Sequence, residues 1–547
     1  MRAPLVLSLG LLGLGGLGAL IEYSSWFAPQ RRVMRDSTVP ARALDSGTYG
    51  DVLRELDLVT TIQPEVDWRW RGKPRGLAYT TYPGARSLPD SAALATDALA
   101  EGWTTISLAL DEQDFDHPKF GLISNGKSGI ERKGSLSYFE GHDRRFSGPC
   151  GVRLHGHPER DPRGWSSFRL YLRSRYGPRE LPDALLPRAL IRPLDRLIIR
   201  GESVTSTALS FDIARRVGSI APDMRPARFV LNGEDQGVYS LTEHLTRRAW
   251  ESRLGHGDFA FVRSRGTNSS GDQQAGDELS EWAHALGPED ARMDVVGRRV
   301  DLDNLSRHLF VIAWCGTNDW AQGAMVLDRT QQEPRWRWIH WDMDRGLRPT
   351  SHLSEGPAWS KRALDLLLGE LPLEPGRLEH LARSGQNNSV RGVLFKKLLR
   401  NDPEYRKAFL RIASDAMNHR LTPEFFEERL RYYASYVDGR RLTVGILRRV
   451  QEFVLNRSPH VREDLQRVLD LDAALPCRVL GPEGSRVLID GHERTLPYEG
   501  WYFPGQDISV DRDAPDGWAW RVGDGPASSA PCRLEVRAPL EVRIEIE

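Results

Sequence analysis

Apolar residues recur at helical spacing from about 302 to 315, where Leu305, Leu309 and Ile312 share one face. Asp301 or Asp303 is placed to cap the N-terminus of this helix, and Gly316 is placed to stop it. A period of two follows in Arg335 to Asp342 (RWRWIHWD): Trp336, Trp338, His340 and Asp342 fall on one face of a predicted strand. Asp344 joins that face if the strand continues. Further β-type runs occur at 104–110 (TTISLAL), 151–156 (GVRLHG), 166–177 (SSFRLYLRSRYG) and 195–201 (DRLIIRG). The stretch 227–241 (ARFVLNGEDQGVYSL) reads as a hairpin turning at Asn232-Gly233, with Gly237 at a bulge or second turn. A helix is predicted from about 206 to 217, and residues of about 360–470 are helical, with Thr422 as an N-cap and Pro423 at the first helical position. From Cys477 onward, short alternating runs (RVLID, DISVD, EVRIEIE) among Gly and Pro predict a small β-sandwich-like module.

The fold class expected is α+β, in five segments. Residues 1–27 read as a signal anchor or signal peptide, 28–51 as a tether, and 52–150 as a β-rich N-terminal module. Residues 151–474 form the central domain and 475–547 the C-terminal β module. Composition adjusts this picture in three ways. Lys plus Arg and Asp plus Glu both number 75 in 547 residues, so no net field favours nucleic acid. Residues Ala3 to Ile21 carry no charge and follow Arg2, the layout of an export signal or membrane anchor, which places the rest of the chain outside the cytoplasm, secreted or membrane-anchored. Cys150, Cys315, Cys477 and Cys532 lack metal-site spacing; Cys315 fits a helix core, and a Cys477–Cys532 disulfide suits an exported protein.

Chemistry concentrates at two acidic motifs. Asp319 lies in Thr317-Asn318-Asp319-Trp320 after the apolar helix, and Asp342 lies in His340-Trp341-Asp342-Met343-Asp344. Asp is common after helices and at strand ends as a turn or capping residue. A strand rich in buried Trp, however, does not usually end in two carboxylates unless a cation or hydrogen-bond network holds them. Asp319 could then accept a hydroxyl proton, while Asp342, with Asp344, holds Mg²⁺ on a phosphate. Glu243, after the hairpin, is a third acidic candidate or a helix-start residue. Arg153, Arg160, Arg169 and Arg200 lie in the α+β lobe; Arg153 and Arg169 project from strands, where a guanidinium fork either suits phosphate oxygens or is simply solvated. His155-Gly156-His157 lacks a third ligand, and no GxSxG, HExxH or Walker A sequence occurs.

These pieces together resemble the spore-coat protein CotH kinase-like family of atypical protein kinases. The resemblance is carried by 151–177, 195–201, 227–245, Gly316 to Trp320 and Trp336 to Gly346, and covers roughly 104–470. It implies a two-lobed kinase-like core that binds ATP with Mg²⁺ or Mn²⁺ and phosphorylates Ser or Thr of a protein partner, here one of the cell envelope or surface. It also implies Asp319 as catalytic residue and Asp342 as metal ligand, and Glu243 matches an acidic position of the family. The family's Pro-Lys-Lys stretch is replaced by Gly164-Trp165-Ser166, leaving Arg163 the nearest cation, and Gln322-Gly323-Ala324 stands where relatives carry Asn. The alternative to an active kinase is a catalytically impaired scaffold.

Overall fold

Alternation of inward apolar and outward polar side chains closes seven strands into a barrel. The computed structural model describes residues 102–546 except 112–113, 116–120, 126–129, 157–166, 178–179, 202–203, 264–268, 318–321, 349–357, 361, 369–388, 440, 512–517 and 529–530. The barrel strands are β1 (Thr104–Leu110), β2 (Arg132–Glu140), β3 (Asp143–His155), β4 (Ser167–Tyr171), β5 (Arg196–Arg200), β6 (Met224–Leu231) and β7 (Glu234–Glu243). Their order is β1-β2-β3-β4-β5-β7-β6, and β1 pairs with β6 in parallel to close the ring. Val152 and Leu154 of β3 and Phe168 and Leu170 of β4 point inward to the core, so Arg153 and Arg169, paired across the two strands, stand outside. The hairpin between β6 and β7 turns where the sequence places it: Asn232 (φ 51°) and Gly233 (φ 83°) are both left-handed, as a primed turn requires. Gly237 (φ 81°) lies at the register shift opposite Arg228 to Val230, the bulge expected there.

The α+β class stands, and its β part is a closed barrel. The boundary expected at 150/151 falls inside β3, and β1 and β2 pair within the same barrel as β4 to β7. The turn signals before residue 150 mark hairpins and not a domain edge, because an open edge at β3 would leave its backbone groups unpaired.

A second, antiparallel sheet has the order β10-β9-β8, from β8 (Phe259–Arg263), β9 (Ala324–Asp328) and β10 (Arg337–Ile339). Helices α1 (Val204–Val217), α2 (Arg247–Leu254), α3 (Ser270–Ala285) and α4 (Leu302–Cys315) accompany it. Helix α4 matches its sequence signals: Asp301 accepts from the Asn304 amide at 3.0 Å, and Gly316 ends the helix at φ 62°. Strand β10 is shorter than expected. Trp336, Trp338 and His340 are buried as the alternation predicts, but the strand stops at Ile339, and Asp342 is left-handed at φ 55°. Asp342 and Asp344 therefore do not share a strand face; a turn over 344–347 follows, since a left-handed residue reverses the extended path.

The helical region contains α5 (Ala363–Leu368), α6 (Val390–Asn401), α7 (Pro403–Asp415), α8 (Pro423–Ala434) and α9 (Val444–Leu469). Thr422 caps α8 by accepting from the Phe425 amide, with Pro423 at its first turn. The C-terminal module is two four-stranded sheets, β14-β11-β18-β16 and β13-β12-β15-β17. Its strands are β11 (Leu475–Leu480), β12 (Arg486–Ile489), β13 (His492–Thr495), β14 (Tyr498–Tyr502), β15 (Asp507–Asp511), β16 (Trp518–Val522), β17 (Cys532–Glu535) and β18 (Leu540–Ile546). Val487, Ile489, Ile508 and Val542 fill the space between the sheets, each contributing about 1.5–3 kcal/mol on full burial. Cys477 and Cys532 belong to this core as free thiols, so the expected disulfide is not formed. Cys315 is buried in α4 as expected. The expected signal segment 1–27 and tether 28–51 lie outside the described residues, among which no helix is long and apolar enough to cross a membrane.

Candidate functional site

Strand β5 ends at Arg200 because the next peptide is held from two sides. The Gly201 N–H donates to Ser167 Oγ at 3.0 Å, and its carbonyl accepts from Arg441 Nη1 at 2.8 Å. Arg200, 5 % exposed, then donates from Nη2 to Asp342 Oδ1 at 3.0 Å. The Asp342 side chain stays 26 % exposed, and its second oxygen takes no hydrogen bond among the described residues. An oxygen fixed by a guanidinium beside one left open suits Mg²⁺, which takes one or two carboxylates and completes its shell with phosphate and water. No group of three His, Cys, Asp or Glu side chains converges among the described residues. Asp344 sits two residues on, half-buried in the turn. Asp319 and Arg163 lie outside the described residues, as do Arg160 and His157.

Glu243 is placed differently. It is fully buried, with Oε1 accepting from the Leu190 and Asp223 amides and Oε2 from the Ile191 amide, each at 2.8 Å. Burial pushes this carboxyl up to about 7 even against the downward pull of the three amide bonds. Both oxygens face N–H donors, so the ionised form is the one the geometry accommodates. In this position Glu243 ties the 190–191 segment and the start of β6 to the end of β7.

Along the barrel's outer face the charge is positive. Arg153 donates to Glu131 at 2.9 Å, and Glu131 also receives Arg173 at 3.1 Å, Arg175 and Tyr176. Burial raises Glu131, but these donors outweigh it and leave the carboxyl below its usual range. Arg169, on the same rung as Arg153, donates from Nε to His155 Nδ1 at 2.7 Å. The Tyr171 ring lies 6.1 Å from that of His244 and 5.2 Å beneath the Arg153 guanidinium. Burial, followed by the charges of Arg169 and Arg200, holds His155 well below the histidine range, and burial with Arg169, Arg196, Arg263 and Arg153 does the same to His244. The face thus runs from Asp342 through Arg200 and His155 to Arg169, His244 and Arg153.

Sequence reading finds Asp342, Arg153, Arg169 and Arg200 and misses His244, Arg263 and the part played by His155. Arg263 closes an apolar strand and His244 follows a buried one, but their neighbours come from β3 and β4, which no local spacing connects to them. Residues 199–440 match a protein-family model described as CotH kinase protein, the family the sequence resembles. That span is narrower than the resemblance and leaves out β3 and β4, with Arg153 and Arg169. No curated protein matches the chain.

Proposed function

Residues 199–440 matching the CotH kinase family model, we propose that this chain is a kinase-like phosphotransferase that moves the γ-phosphate of ATP to a Ser or Thr hydroxyl of a protein. The observation that carries the reading is Asp342, one oxygen locked by Arg200 and the other open, at the edge of a cationic face inside the matched segment. In this reading Asp342, with Asp344 beside it, holds Mg²⁺ or Mn²⁺, and the ion when bound spreads the charge of the phosphates. Asp319 orients and deprotonates the acceptor hydroxyl. Arg200 fixes the rotamer of Asp342 before any ligand arrives, which is preorganisation of a charged group. In the same reading the barrel side and the helical side act as the two lobes of a kinase. The acceptor is a protein of the cell envelope or surface, and the chain works outside the cytoplasm, secreted or held to the membrane by its N-terminal segment.

The test is transfer of labelled phosphate from ATP, with Mg²⁺ or Mn²⁺, to casein-like or envelope proteins. Wild type is expected to transfer, and Asp342→Asn to lose on the order of 100-fold or more in kcat. Equal transfer by both proteins overturns the reading. The scaffold alternative draws on one feature: Gln322 and Gly323 stand where the family carries Asn, and the Gln322 carbonyl accepts from buried Arg391 at 2.7 Å. A nucleotide-induced rise in melting temperature with no transfer to any acceptor decides for the scaffold.

A further inference from the structure

Among the described residues, Arg169 is a guanidinium without a carboxylate partner. It shares a rung of the barrel with Arg153, which has Glu131 at 2.9 Å, yet Arg169 donates to His155, a neutral acceptor at 2.7 Å, and its other hydrogen-bond partner is the Tyr171 hydroxyl. No carboxylate pairs with it among the described residues, and burial is the main influence on it, followed by Tyr171 and the like charge of Arg153. A cation moved out of water without an opposing charge is costly, and proteins keep such an arrangement where an anionic ligand supplies the missing charge.

The two imidazoles point to the same occupant. His155 accepts at Nδ1, so in its neutral form the proton resides on Nε2, which becomes a donor. His244 is 6 % exposed and its Nδ1 is buried with no hydrogen bond. An unbonded polar atom in that position needs a partner, and the cations around it favour one rich in oxygen and negative charge. Burial and those same cations keep both rings neutral, so neither adds charge of its own, and His155 offers Nε2 as a dipolar donor.

We propose that Arg169, His155 and His244 form an oxyanion subsite that takes a phosphate of the nucleotide, with arginine and neutral imidazole serving where the family's pattern has lysine. The identity of the nucleotide rests on the kinase reading; the anion site rests on the geometry alone. A planar fork beside the His155 ring N–H addresses several oxygens of one phosphate at fixed angles, which a lysine point charge does not.

The experiment is thermal denaturation of the full chain titrated with pyrophosphate, ATP and adenosine. Pyrophosphate and ATP are expected to raise the melting temperature of wild type, and adenosine to leave it unchanged. Arg169→Met is expected to weaken both phosphate ligands by about 10- to 100-fold. Its ligand-free melting temperature should equal or exceed that of wild type, because an uncompensated cation has been removed. His244→Phe, similar in shape and apolar, should weaken pyrophosphate in the same direction. Three results each overturn the subsite: no response of wild type to pyrophosphate, an undiminished response in both variants, or a ligand-free Arg169→Met far less stable than wild type. Pyrophosphate binding that is lost in the variants, with no phosphotransfer by wild type, leaves the subsite standing and sinks the kinase reading.

Discussion

Asp342 and Glu243 are both acidic residues near strand ends, and their surroundings give them opposite tasks. Asp342 keeps an open oxygen facing solvent, whereas every direction from the Glu243 carboxylate is taken by a backbone amide. Glu243→Gln would turn an amide NH₂ toward at least one of those N–H groups, losing a hydrogen bond and opposing two donors. The variant is expected to be about 1–3 kcal/mol less stable than wild type by urea denaturation. Unchanged stability would remove the tying role assigned to this carboxylate. The sequence shows that both residues are acidic, and it ranks them together because spacing contains no record of which amides will converge on which carboxylate.

At the level of elements, α4 shows what local signals can specify. Its cap at Asp301, its stop at Gly316 and its apolar face are all legible, since each depends on residues within one or two turns. The fixing of its last turn is not legible. Arg457 in α9, fully buried, donates to the Trp314 carbonyl at 2.7 Å and the Ala313 carbonyl at 2.6 Å, placing a cation at the negative end of the helix. It also reaches the Trp359 carbonyl at 2.6 Å. Arg457→Met should lower stability by at least about 3 kcal/mol, because buried carbonyls lose their donor, and denaturant unfolding measures that directly. Strand β10 marks the opposite outcome. The alternation correctly buries Trp336, Trp338 and His340, although the strand itself ends at Ile339, and a left-handed Asp342 then breaks the period of two.

At the scale of the molecule, buried neutral histidines pull stability down as pH falls. Burial depresses His244 and His308 well below the ordinary range and His340 to about 3. His308 and His340 stack at 4.0 Å, with His308 Nε2 2.8 Å from Arg391 Nη1, so a proton on either ring would meet a cation in a closed space. In the unfolded chain each ring takes a proton near 6.5, and in the folded chain none does until far lower pH. The unfolded state therefore binds more protons below 6.5, and stability falls as pH drops through that window, by about 1.4 kcal/mol per pH unit for each ring. Denaturation at pH 7.5 and at pH 5 should show a loss of several kcal/mol at the lower pH, reduced in a His308→Gln variant. A flat profile between those pH values would contradict the neutral burial of these rings.

The junction of the helical region with the C-terminal module belongs to the same scale. Asp490 of the module accepts from Tyr502 OH at 2.6 Å and lies 3.1 Å from His419 Nε2, while His492 Nε2 lies 2.6 Å from Asp415 Oδ1. Burial would raise Asp490, but its hydrogen bonds from His419, the Ser509 amide and Tyr502 prevail and hold it below the carboxylate range.

By itself the sequence determined what short-range physics controls: the α+β class, the capped helices, the primed turn at Asn232-Gly233, the sandwich-like C-terminal strands and the chemical types present near the site. Each of those follows from periodicity, conformational preference or side-chain chemistry within a dozen residues. Tertiary structure alone decided that β1 to β7 close into one barrel, that Arg200 and not a lysine meets Asp342, that Glu243 serves the backbone, and that Arg169 meets a neutral imidazole and, among the described residues, no carboxylate. Those facts depend on which strands pair and which buried groups are left with partners, quantities set by closure of the chain in space and by the desolvation that closure imposes.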